Sequence, residues 1–117
     1  MSVTIYHNPR CSKSRKTLEL LHERGLEPVV IEYLKTPPDP ATLRELLGLL
    51  GLSPRELMRE REAVYGELNL ADDTLDDDAL IAAMVANPIL IERPIVVANG
   101  GAVLGRPPEN VNALLDT

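Results

Sequence analysis

The chain has 117 residues, a length that suits one domain able to bury roughly two-thirds of its unfolded surface. Its 12 Lys and Arg against 18 Asp and Glu give a net charge of -6, which argues against nucleic-acid or membrane partners. A single cysteine and two histidines exclude an internal disulfide and the usual Cys/His zinc site. The start of the chain lacks a basic leader with a long apolar run, so a cytoplasmic, globular protein is expected.

The first third of the chain has the pattern of a βαβ unit. Residues 3–6 are β-branched and aromatic, as in a strand, and Asn8-Pro9 ends them. Residues 12 to about 24 contain no proline or glycine, and Gly25 provides a helix stop. Residues 29–34 form a nearly continuous apolar run, which predicts a strand buried on both faces.

The middle of the chain is predicted to be helical. Amphipathic-helix spacing is shown by Leu43, Leu46, Leu47 and Leu50, and Gly51 closes that helix. Ser53-Pro54-Arg55-Glu56 has the residues of a capping box, so a short helix carrying Leu57, Met58 and Arg59 should follow. Residues 66–73 look irregular.

Another helix should begin at the acidic run Asp76–Asp78 and stop before Pro88. The last third then changes to strands: Ile95–Ala98 and Ala102–Leu104 flank Asn99-Gly100, whose residues favour the positive φ angles of a tight hairpin turn. A final helix is predicted through Val111, Leu114 and Leu115.

These elements predict an α/β protein of the thioredoxin-like class. A parallel pair from the βαβ unit would be extended by the hairpin of a ββα unit into a four-stranded mixed sheet, with helices on both faces. Residues 1–117 would be one domain with a helical insertion at about 40–87. Cys11 would lie just beyond the carboxyl end of the first strand, where α/β sheets tend to carry their sites.

Cys11 has the surroundings of a reactive thiol. It stands at the predicted start of a helix, and both that position and nearby cations lower a thiol pKa. No acidic residue precedes Glu19, whereas the same stretch holds four cations: Arg10, Lys13, Arg15 and Lys16. A phosphatase-type loop would need arginine where Thr17 stands, and a dithiol motif would need cysteine where Ser14 stands. The pattern therefore predicts a lone nucleophile that forms an adduct with an oxyanion or a mixed disulfide with a small thiol.

Several residues could hold an oxyanion at that thiol. The N–H groups and hydroxyls of Ser12 and Ser14 could donate to it, and Arg15 would share the helical face of Cys11. Arg93 and Arg106 each precede a proline at a strand end, and the sequence leaves open whether they bind an anion or serve the structure.

Two further residues are ambiguous in the same way. His7 could be functional or could simply terminate a strand. Arg59 stands among alternating charges, so a solvated charged face is the simpler interpretation of its segment.

Motifs spread along the whole chain resemble one known family, the glutaredoxin-linked arsenate reductases. The matching segments are Ile5-Tyr6-His7-Asn8-Pro9 with Cys11, Ser14 and Arg15; Tyr33-Leu34 with Thr36-Pro37-Pro38; Arg59; Asn69-Leu70-Ala71; Asn87-Pro88-Ile89-Leu90; Arg93-Pro94-Ile95-Val96-Val97; and Arg106-Pro107. Arg10 and Ser12-Lys13 replace a small residue and Gly-Thr of well-studied members, and the chain stops soon after its final helix. The chain is most similar to the short arsenate reductase-like branch.

The resemblance implies roles for particular residues. Cys11 would attack arsenate, His7 and Ser14 would help to ionise it, and the arginines would hold the oxyanion and stabilise the adduct: Arg59, Arg93 and Arg106. Glutathione as co-substrate and glutaredoxin as partner would supply electrons, with no metal and no tightly bound cofactor. The thioredoxin-like fold also implies a cis peptide bond before Pro94.

Two other functions stay open. Thioredoxin-like relatives with a similar N-terminal loop are redox-sensing regulators that bind RNA polymerase, although a second cysteine would favour that role and Ser14 counts against it. Glutathione-linked thiol chemistry on a substrate other than arsenate is the third hypothesis.

Overall fold

A computed structural model describes residues 2–116 of the chain. The backbone divides into two compact units. The first takes the chain up to residue 36 and again from residue 93, and the second is residues 37–92. The single domain and the insertion limits expected from the sequence stay predictions, and the units are described separately.

The first unit contains a four-stranded mixed sheet. Its strands are β1 (Val3–His7), β2 (Val29–Glu32), β3 (Ile95–Ala98) and β4 (Gly101–Leu104), arranged in the order β2-β1-β3-β4. β1 and β2 are parallel, whereas β1 with β3 and β3 with β4 are antiparallel. The predicted α/β class and mixed sheet are confirmed.

Helix α1 (Ser12–Glu23) packs against one face of this sheet. A 3-10 turn, Pro108–Val111, and α6 (Asn112–Leu115) follow β4, where a final helix through Val111, Leu114 and Leu115 was predicted. Alternate residues of β1 and β3 form an aliphatic core with these helices: Val3, Ile5, Val96, Ala98, Leu21, Val111 and Leu115. Asn99 and Gly100 have φ of 53° and 76°, which confirms the tight hairpin turn.

The prediction that residues 29–34 form a strand buried on both faces is wrong. β2 ends at Glu32, and a turn follows in which Lys35 N donates to Glu32 O. β2 is an edge strand, so Val29 and Val30 are 57% and 42% exposed. An apolar run alone does not distinguish a central strand from an edge strand, because both are pleated and differ only in their neighbours.

The second unit is helical, as predicted. Its elements are α2 (Pro40–Leu50), α3 (Pro54–Leu57), α4 (Ala63–Glu67), α5 (Asp77–Ala86) and a 3-10 turn at Pro88–Leu90. None of the helices in the described part of the chain is long and apolar enough to cross a bilayer.

Side-chain caps fix the ends of these helices. Asp39 and Asp76 accept N–H bonds at the starts of α2 and α5, and Gly51 ends α2 with φ of 69°. Ser53 and Glu56 form the predicted capping box of α3, with each side chain bonding the other residue's N–H.

Two predictions in this unit are wrong. α3 ends at Leu57, so Arg59 lies outside the helix, and its N–H donates to Leu90 O at 2.7 Å. Met58 pairs with Ile91 as an isolated bridge, which draws the backbone out of the helix. α4 includes Gly66 and Glu67, which were expected to be irregular. The glycine suggested a break there, but a short helix tolerates one at modest cost.

Candidate active site

Cys11 lies between the carboxyl end of β1 and the start of α1, as predicted. Its N–H donates to Asn8 O at 3.0 Å, and its own carbonyl accepts the N–H of Arg15 at 3.0 Å. Cys11 is therefore the N-cap residue of α1, with extended backbone angles, and its side chain is partly exposed. The sulfur occupies the place where a capping oxygen would meet the first helical N–H groups.

The pKa of the Cys11 thiol is lowered. Burial acts in the opposite direction, but the N–H of Ser14, a side-chain hydrogen bond from Arg93, the N–H of Lys13 and the charge of Arg93 outweigh it. The Arg106 guanidinium also donates to the sulfur, with Nη1 3.7 Å from Sγ. The site is therefore organised for a thiolate, the nucleophilic form of cysteine.

Arg93 and Arg106 each precede a proline whose peptide bond is cis, Pro94 and Pro107. The cis bond predicted before Pro94 is confirmed, whereas the one before Pro107 was not predicted. The sequence left open whether these two arginines have a structural or a functional role. In the structure both lie at Cys11. Their binding of a substrate stays a prediction.

His7 and Ser14 form a buried pair behind the thiol. His7 Nδ1 lies 2.6 Å from Ser14 Oγ, which also accepts the N–H of Asn8 at 3.1 Å. Burial lowers the pKa of His7, and the charge of Arg15 lowers it further against the opposing effect of Glu32. His7 is therefore a neutral hydrogen-bonding group near pH 7. That the pair helps to ionise Cys11 stays a prediction.

The other predicted oxyanion ligands have different surroundings. Arg15 Nη1 donates to Pro9 O at 2.9 Å, which ties its guanidinium to the loop before Cys11. Ser12 is the exposed first residue of α1. Their contact with an oxyanion stays a prediction.

Arg59 belongs to the second unit and is held by carboxylates. Its Nη1 lies 2.7 Å from Glu92 Oε1, and its Nε lies 3.4 Å from Glu62 Oε2. The Arg59 side chain is 20% exposed, so the prediction that it lies on a solvated charged face is wrong. Its predicted role toward an oxyanion stays a prediction.

Two residues at the site, Thr17 and Gly105, were missed from the sequence. Thr17, fully buried on α1, has its Oγ1 2.9 Å from the carbonyl oxygens of Lys13 and of Gly105. The available signal was helical spacing, since positions 14, 17 and 21 share the buried face of α1 and two of them are polar.

Within residues 2–116, no three or more His, Cys, Asp or Glu side chains are grouped so that they could hold a metal ion. Two residues of the acidic run at the start of α5 make structural contacts. Asp76 caps the helix, and Asp78 pairs with Arg44.

A sequence profile of the ArsC family matches residues 6–114. The chain belongs to the ArsC family. It is 67% identical over 110 residues to the uncharacterized protein YfgD of Escherichia coli K12, covering 93% of this chain and 92% of that protein. It is 52% identical over 114 residues to a protein named arsenate reductase from Neisseria meningitidis serogroup A, with 97% of each covered.

A solved structure has the same fold. The arsenate reductase from Vibrio cholerae is 57% identical and superposes with a TM-score of 0.95, covering 97% of this chain and 98% of that one. The family resemblance and the thioredoxin-like ArsC fold inferred from the sequence are therefore confirmed.

Proposed function

We propose that this ArsC-family protein is an arsenate reductase, with Cys11 as its single nucleophile and with glutathione and glutaredoxin as electron donors. The observation that carries the proposal is the thiolate environment of Cys11, in which Arg93 lowers the thiol pKa and Arg106 donates to the sulfur. The names of the relatives from Neisseria meningitidis and Vibrio cholerae support arsenate as the substrate. The reducing cytoplasm is the proposed compartment, because it keeps these thiols reduced.

In the first step, the Cys11 thiolate attacks arsenic(V). A sulfur–arsenic bond forms, one arsenic–oxygen bond breaks, and the departing oxygen takes up protons and leaves as water. Arg93 and Arg106 stabilise the negative charge of the adduct, since fixed cations stabilise charge best where it develops. Ser12, Arg15 and Arg59 are proposed to contribute further contacts to the oxyanion, as the family resemblance implies.

The remaining steps require thiols from outside the chain, because Cys11 is its only cysteine. The sulfur of glutathione replaces a second oxygen, which leaves as water, and arsenic stays pentavalent. The glutaredoxin thiol then attacks the glutathione sulfur. The electron pair of the broken sulfur–arsenic bond stays on arsenic, which becomes trivalent, and a glutaredoxin–glutathione disulfide forms. Water finally displaces Cys11, releasing arsenite and the thiol.

Intact-mass measurement tests this sequence of steps. We expect arsenate alone to add one arsenic-containing group to the protein, and Cys11→Ser to abolish that addition. With glutathione and glutaredoxin, the wild-type protein should release many equivalents of arsenite. Absence of both the adduct and the coupled turnover would refute the arsenate proposal. An adduct with a different oxyanion or with glutathione alone would instead identify thiol chemistry on another substrate.

A further inference from the structure

A cavity of about 200 Å³ lies beside the loop that carries Cys11. Residues 7–10 form one wall, and Glu32, Leu34 and Lys35 from the end of β2 and its turn form the other. Arg10, the last residue of the first wall, is bonded directly to Cys11. The cavity therefore borders the loop that ends at Cys11, to which the proposed reaction must bring a second thiol.

The charges around this cavity are mixed. Arg10 and Lys35 are exposed cations and Glu32 is one carboxylate, so the walls carry one net positive charge in a chain of net charge -6. Lys35 Nζ is 3.5 Å from Glu32 Oε1, and both side chains are well exposed. An ion pair of this kind contributes little on its own, so a ligand with charges of both signs can replace it.

We propose, on the basis of the proposed function, that this cavity binds glutathione. Glutathione has two carboxylates and one ammonium group, which complement the two cations and one carboxylate of the walls. Arg10 and Lys35 would hold the carboxylates, and Glu32 the ammonium. The thiol is on the central residue of this tripeptide, and Arg10, which would hold one of its ends, is the neighbour of Cys11 in the chain.

Binding can be measured without any turnover. In the Cys11→Ser protein, titration with glutathione should shift the NMR resonances of residues 7–10 and 32–35. The double variant Arg10→Glu/Lys35→Glu should weaken binding about fivefold or more, because two ion contacts are lost and reversed. The matched control Lys16→Glu/Arg61→Glu makes the same charge change at exposed residues that do not line the cavity and should leave binding nearly unchanged.

Turnover gives an independent readout. In the wild-type Cys11 background, the Arg10/Lys35 double variant should raise the KM for glutathione more than that for the uncharged thiol 2-mercaptoethanol. Resonance shifts confined to other residues, or equal weakening by the control variant, would overturn the cavity assignment. Glutathione binding in the cavity with no arsenate adduct on Cys11 would leave the cavity assignment standing and refute the proposed function alone.

A separate observation concerns Gly105, which is buried against α1. A Cβ atom at this position would lie 2.8 Å from Thr17 Oγ1 and Cγ2 and 3.0 Å from Pro94 Cγ. Gly105 N donates to Pro94 O at 2.9 Å, and Gly105 O lies 2.9 Å from Thr17 Oγ1. Only a residue without a side chain fits this contact as it stands.

The contact joins the three segments that meet at the thiol. Thr17 is on the helix that Cys11 begins, Pro94 follows Arg93, and Gly105 precedes Arg106. We infer that Thr17 and Gly105 are positioning residues, which fix both arginines relative to the Cys11 sulfur without touching the substrate. A shift of an ångström at Gly105 would move Arg106 away from its 3.7 Å contact with the sulfur.

The test measures Cys11 ionisation from thiolate absorbance against pH. Gly105→Ala should raise the Cys11 pKa toward the ordinary range and slow alkylation at pH 7, whereas Gly48→Ala, at an open and exposed position of α2, should change neither. Thr17→Val removes the hydroxyl and should cause a smaller rise, and Thr17→Ser should restore the native value. A folded Gly105→Ala protein with native ionisation would overturn the inference. If that variant does not fold, native ionisation in Thr17→Val would overturn it.

Discussion

The protein has two kinds of arginine environment: in one the guanidinium contacts carboxylates, and in the other it contacts the Cys11 sulfur. Arg59 is held between the carboxylates of Glu62 and Glu92, whereas Arg106 donates to the sulfur of Cys11 and Arg93 lowers the pKa of that thiol. Two nearby carboxylates compensate the charge of an arginine, so it exerts less attraction on a further anion. The neighbours, more than the residue type, determine whether a cation stabilises the fold or a reactive anion.

Among substitutions of these arginines, the largest effect is expected at Arg93. Arg93→Met removes both a hydrogen bond and a charge that lower the Cys11 pKa, so we expect that pKa to rise. Arsenate turnover should fall about a hundredfold, the usual order for losing one charge-stabilising donor. Arg93→Lys keeps the charge without the planar fork and should be intermediate. Unchanged kcat/KM together with unchanged thiolate absorbance would remove Arg93 from the site.

A different result is expected at Arg59. Arg59→Met removes the guanidinium that pairs with the partly buried Glu62 and Glu92, and should lower the free energy of unfolding by about 1–3 kcal/mol. Denaturant titration measures this, and adding Glu92→Gln should recover part of the loss.

The same Arg59 variant tests its proposed substrate contact. The Cys11 pKa should stay native, because the charge of Arg59 is already compensated by Glu62 and Glu92. The KM for arsenate should rise if Arg59 contacts the oxyanion as proposed. A native KM in folded Arg59→Met protein would leave Arg59 with a structural role only.

The sequence predicted local features well because their causes are local. The capping box at Ser53, the Asn99-Gly100 turn and the break at Asn8-Pro9 each follow from backbone preferences of a few adjacent residues. The position of Cys11 at the start of α1 follows from the same signals. The cations near it in sequence indicated a reactive thiol before any contact was known.

The contacts that organise the site join residues far apart in the chain and could not be predicted in the same way. Gly105 touches Thr17 across 88 positions, and Arg106 reaches Cys11 across 95. The exposure of β2 depended on sheet order, and the end of α3 at Leu57 depended on the pairing of Met58 with Ile91. Local propensity contains no information about these partners.

A smaller effect is expected from the capping box, which lies in the same unit as Arg59. Ser53→Ala removes the side-chain bond to Glu56 N and should cost about 1 kcal/mol of unfolding free energy. Cys11 alkylation should keep its native pH profile, because Ser53→Ala changes no charge. A changed pH profile would show that Cys11 ionisation depends on overall stability. It could then not be assigned to Arg93 and Arg106.

The smallest effect is expected from substitution of His7. It tests whether His7 adds positive charge at the thiol to that of the arginines. Burial lowers the His7 pKa below its unfolded value, so between those two pKa values the unfolded chain binds more protons than the folded one. Stability should therefore decline as pH falls below about 6.5 and level off beneath the folded pKa of His7. His7→Gln should flatten this decline in denaturant titrations at a series of pH values. If stability instead increased as the pH fell below about 6.5, His7 would be charged in the folded protein and would be a third cation near Cys11.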